Sequence, residues 1–84
     1  MTGWQEAAEG VALDMVRRAI VAAVSEPSRT AWRGYTLDSG LLHCVATFDG
    51  GNVSTAWHID GRPLCQAAAE SAIAARMASR MART

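Results

Sequence analysis

Apolar side chains recur with two different periods along this chain, and the change of period marks where one kind of element gives way to another. From Trp4 to Ala23 the repeat is helical: Trp4, Ala8, Val11, Ala12, Met15, Val16, Ala19, Ile20 and Ala23 share one side of a helical wheel. Thr2 and Gln5 form a capping-box pair, which starts this helix just after Thr2. Pro27 stops it near Ser25, because proline lacks the backbone donor and pushes Glu26 out of helical geometry. Leu13 and Val24 widen the apolar arc to more than half the wheel, while Glu6, Asp14, Arg17 and Arg18 fill the rest. Asp14 is spaced to pair with Arg17 or Arg18. An arc this wide implies deep burial or a second contact beyond the domain's own sheet.

Beyond Pro27 the repeat shortens toward two. Three strands are expected, over Thr30 to Leu37, Leu41 to Phe48 and Val53 to Ile59. Asp38-Ser39-Gly40 suits a three-residue hairpin loop, and Asp49-Gly50-Gly51-Asn52 a tight turn. The second turn sets one register: Phe48 meets Val53, Ala46 meets Thr55, Cys44 meets Trp57 and Leu42 meets Ile59 on a face for the helices to cover. His43 then stands opposite His58 on the other face, near Val45 and Ala56. With the three-residue loop, Leu37 meets Leu41, Tyr35 joins the histidines in a row, and Arg33 sits beside Val45. A slip by one residue would reverse the first strand and expose Trp32 instead. Both registers leave an aromatic, two histidines and some aliphatics uncovered, a patch that soluble monomers seldom leave without a use.

Asp60-Gly61-Arg62-Pro63 punctuates the chain, and Pro63 suits the first turn of a last helix reaching Ala82. Its many alanines allow close approach to a sheet, and Ile73, Met77 and Met81 repeat every four positions. Arg76, Arg80 and Arg83 gather on another face, as a solvated row or a contact for phosphate or an acidic partner. Glu70 lies nearly in line with Met77 and Met81, at the core's edge or held for a partner. The order is α-β-β-β-α. The fold class expected is a two-layer α+β domain: a three-stranded antiparallel meander with both helices on one face, one domain over residues 1–84.

Composition narrows the function classes. Eight acidic residues balance eight basic ones, so no overall field recruits nucleic acid or an anionic membrane. All the basic residues are arginines, side chains suited to bidentate contacts with carboxylate or phosphate. Cys44 and Cys65 are too few for a disulfide framework and are expected as buried, reduced thiols. The first residues lack the charged region and apolar run of a signal peptide, and no apolar stretch reaches membrane-span length, so a cytoplasmic protein is expected.

Candidate chemistry is sparse. A zinc site needs three or four converging ligands, and His43 and His58 supply two, with Cys44 on the opposite face. Strand alternation also separates Cys44 from His43 as a nucleophile–base pair, and no phosphate loop or nucleophile elbow is present. The expectation is therefore no enzyme, no metal and no cofactor.

Across most of its length the α-β-β-β-α order resembles the double-stranded RNA-binding domain. That resemblance implies recognition of RNA backbone through a basic cluster at the start of the last helix and a histidine-bearing hairpin loop. Here "GRPLCQAAAE", residues 61–70, holds only Arg62 as a basic residue, and Asp38-Ser39-Gly40 carries no histidine. Single-strand stacking on Tyr35 and the histidines is the nucleic-acid alternative. The leading expectation is a small protein-interaction module: an inhibitor, an adaptor or a self-associating accessory protein, with a homodimer expected. In being short, single-domain and free of catalytic motifs it is similar to phage and mobile-element proteins such as anti-CRISPR inhibitors. The candidate contact residues are Arg33, Tyr35, His43, Val45, His58, Arg76, Arg80 and Arg83. Protonating both histidines would set like charges side by side, so binding through their face is expected to weaken in acid.

Overall fold

The computed structural model describes residues 3–82. Its α+β architecture has two helices on one face of an antiparallel sheet: α1 Gly3–Ser25, β1 Thr30–Thr36, β2 Leu41–Asp49, β3 Asn52–Ile59, β4 Arg62–Leu64 and α2 Gln66–Ala82. The strand order is β1-β2-β3-β4, a meander of four strands where the sequence predicts three. The capping residue expected for α1, Thr2, lies outside the described residues.

Helix α1 ends where Pro27 requires. The Glu26 N–H still reaches the Ala22 carbonyl at 3.0 Å, then the chain turns through Arg29, whose φ is 59°. Arg29 Nη1 donates to the Val24 carbonyl at 2.6 Å and so satisfies one of the acceptors left open at the helix end. Asp14 pairs with Arg18 at 2.9 Å, one of the two spacings the sequence allows.

The extra strand comes from a second tight hairpin. Asp60 and Gly61 both have positive φ, 49° and 83°, as a two-residue type I′ turn requires. Gly50 and Gly51, at 55° and 92°, repeat the device between β2 and β3. Pro63 therefore pairs with His58 on an edge strand, where a missing donor is tolerated, and α2 begins three residues later than Pro63 implies.

β2 and β3 pair in the register read from the sequence, including His43 opposite His58 and Cys44 opposite Trp57. β1 takes the other of its two registers. The Leu37 N–H donates to the Gly40 carbonyl at 2.8 Å, so Thr36 meets Leu41, Tyr35 meets Leu42 and Trp32 meets Val45. Leu37, expected outside, is buried, because the shortened loop turns it inward. Asp38, the next residue, accepts from Arg76 and from the Ser79 hydroxyl on α2.

The core is low in volume. On α1 the buried residues are Ala8, Ala12, Met15, Ala19 and Ala23, and on α2 Ala69 and Ile73. These pack with Leu42, Cys44, Ala46 and Trp57 from the sheet. α1 lies equally over β1 and β2, whereas α2 leans chiefly on α1 and only lightly on β3. The tip of the β2–β3 hairpin thus projects past the helices, and Val53 and Thr55, expected beneath them, are exposed.

Alanine at the α1 seam sets the helix spacing, so a larger side chain there must push the layers apart. Ala19→Leu is expected to lower stability by about 1–3 kcal/mol. Ala7→Leu, on the exposed side of the same helix, is expected to change it by no more than about 0.5 kcal/mol. Urea unfolding of the two variants checks the difference.

Candidate interaction surface

Strand alternation assigns Trp32, Leu41, His43, Val45, Ala56, His58 and Pro63 to the sheet face that neither helix covers. Trp32 is 54% exposed, the most open aromatic of the sheet. Its ring meets that of His43 edge-on, with centroids 4.6 Å apart and planes 66° apart. Gly34 makes room for this arrangement: a Cβ there would lie 3.1 Å from the Trp32 ring and 3.3 Å from Leu41. The indole thus lies over a glycine, covering backbone that would otherwise face water. The row across the sheet runs Gly34, His43, His58, Pro63, with Trp32, Val45 and Ala56 beside it.

Several expected contact residues stand elsewhere. Tyr35 does not join the histidines; it faces the helices, half-buried against the core, because β1 is shifted by one residue. Arg33 is carried with it to the helix side, opposite Cys44 rather than beside Val45, and its Nη1 donates to the Trp32 carbonyl at 2.8 Å. His43, Val45 and His58 do share the open face. Trp32 takes the place the sequence gives to Tyr35 in the unslipped register.

The arginine row on α2 is also divided. Arg76 is half-buried and paired with Asp38, Arg80 is exposed, and Arg83 lies outside the described residues. Arg76 is thus a tie between α2 and the β1–β2 loop. Glu70 accepts from Gln66 Nε2 at 3.0 Å, one turn earlier on the same helix.

Among the described residues no three His, Cys, Asp or Glu side chains converge as a metal site. No described helix is long and apolar enough to cross a membrane. The open face carries little fixed charge: alternation places Asp49 there, at the hairpin tip, and none of the described arginines. Comparison with protein-family models, with curated proteins and with solved structures finds no match to this chain.

The two thiols differ, contrary to the expectation that both are buried. Cys65, between β4 and α2, is exposed, while Cys44 is buried and burial pushes its thiol up. One thiol per folded chain should therefore react rapidly with a water-soluble disulfide reagent, and the second only on unfolding. An unfolded chain releases the Cys44 proton in the ordinary thiol range, where the folded chain still holds it. Stability is then fullest below that range and falls as pH rises through it toward the raised value. Cys44→Ala should flatten this alkaline decline in urea midpoints, whatever it costs in packing.

Proposed function

We propose that this chain is a small non-enzymatic protein-interaction module that docks a protein partner on the open face of its sheet, acting as an inhibitor, an adaptor or an accessory protein. The observation that carries this reading is Trp32: a large aromatic, 54% exposed, braced against His43 on a face without a covering layer. Tryptophan, with tyrosine and arginine, is enriched among the residues on which interface free energy concentrates. The imidazoles of His43 and His58 add donors and acceptors near it, and Val45, Leu41 and Ala56 extend the apolar contact.

Trp32 would also serve as a stacking platform for a single-stranded nucleic acid. Such binding depends on phosphate neutralisation, for which the open face supplies no arginine among the described residues. The double-stranded RNA-binding resemblance weakens as well, since Arg62 sits on β4 rather than at the start of α2.

Affinity capture of the tagged chain from its native host, before and after nuclease treatment, separates these readings. A protein partner retained after nuclease is expected. Trp32→Ala should reduce its affinity at least about tenfold, and His43→Gln should weaken it to a smaller degree, with circular dichroism unchanged in both. Equal binding by wild type and Trp32→Ala would remove the open face as the docking surface, and loss of all capture on nuclease treatment would favour nucleic acid.

A further inference from the structure

The sheet ends in two edges of unequal character. β4 is three residues long and contains Pro63, features that blunt an edge against pairing. β1 is seven residues long, contains no proline and carries a single charged residue, Arg33. Two backbone bonds define what it presents. Arg29 accepts from the Phe48 N–H, and Leu37 donates to the Gly40 carbonyl, so the odd-numbered residues of β1 turn their peptide groups toward β2. The peptide groups of Thr30, Trp32, Gly34 and Thr36 therefore face outward. An open cleft runs along this edge, lined by Ala22 and Glu26 of α1 and by residues 30–34.

We propose that a second copy of this chain pairs with β1, antiparallel, about a two-fold axis through Trp32, joining the two sheets into one. This edge adjoins the open face, with Trp32 common to both, and the proposal does not rest on that reading. An isologous pairing keeps both helix layers on one side, so each residue must meet one of equal parity. Centring on Arg33 would set its guanidinium against its own copy. Centring on Gly34 would send Arg33 toward Tyr35, away from any acid. Centring on Trp32 brings Arg33 of the second copy beside Ala31, on the cleft that Glu26 lines, and the two-fold axis repeats the pair. Glu26 and Arg33 form no ion pair within one chain. Arg33 is instead turned back on the outward carbonyl of Trp32, the acceptor that pairing would fill with a backbone N–H.

Helix α1 borders the same edge, so pairing of β1 would bring the two copies of α1 side by side. Val21, 67% exposed in the single chain, lies on the wall of α1 beside Arg33 and would be covered there.

Sedimentation of the full-length chain tests this through a charge exchange. Wild type should show a concentration-dependent dimer. Glu26→Arg and Arg33→Glu, each alone, should weaken it at least about tenfold through like-charge contacts, with circular dichroism unchanged. An equimolar mixture of the two variants should recover the dimer, because each chain then meets its opposite charge. A wild type that stays monomeric at high micromolar concentration overturns the proposal, as does a dimer indifferent to both substitutions or a mixture that fails to recover.

Discussion

The hydrogen bond from the Leu37 N–H to the Gly40 carbonyl governs most of what this domain exposes. It closes the β1–β2 connection one step tighter than a three-residue loop, and because side chains alternate along a strand, that step turns every residue of β1 over. Tyr35 and Leu37 go in toward the helices; Trp32 comes out beside His43. Gly40 supports the closure with φ 155°, and the Asp60 carboxylate occupies the space that a β-carbon there would need. The loop is tied in turn to α2 through Asp38 and Arg76. A local turn thereby sets the chemistry of a whole sheet face.

Much of the fold was legible in the sequence, for identifiable reasons. The β2–β3 register follows from Gly50-Gly51, whose positive φ angles suit a two-residue turn, and from alternation strong enough to resist slipping. The end of α1 follows from Pro27. β1 was open to two phases because each offered one aromatic to the core, Tyr35 in one and Trp32 in the other. The ion pair that fastens the chosen phase, between Asp38 and a residue 38 positions later, has no local signature. β4 was hidden by Pro63, which suits the first turn of a helix as well as an edge strand. Asp60-Gly61 carried the hairpin signal, and only its brevity made it read as punctuation. On the candidate surface, His43, Val45 and His58 followed from the secure register, whereas Tyr35 and Arg33 depended on the insecure one.

Two surfaces of different chemistry result from this packing. The open sheet face is aromatic and aliphatic around the two imidazoles, with the hydroxyls of Thr30, Thr47 and Ser54 in a neighbouring row. The β1 edge offers peptide groups flanked by Glu26 and Arg33 on the helix side. Because side chains alternate while peptide groups lie in the plane between, one strand can serve both surfaces without sharing side chains, apart from Trp32 at their meeting point. The buried indole N–H of Trp57 has no partner among the described residues, so this tryptophan contributes bulk to the core without the polar anchor usual for its kind.

The alanine seam between α1 and the rest of the core bears on motion as well as on spacing. Interlocking large side chains act as teeth that fix how far one helix stands along another. The row Ala8, Ala12, Ala19 and Ala23 offers few teeth beyond Met15 in its middle, and helices in smooth contact move past one another by shear rather than by hinging. Met15 on α1, Ile73 and Met77 on α2, and Arg76 at Asp38 are the larger side chains that hold α2 lengthwise. Asp38 is half exposed, so this tie faces solvent and weakens with salt, whereas the hold of Ile73 in the core does not.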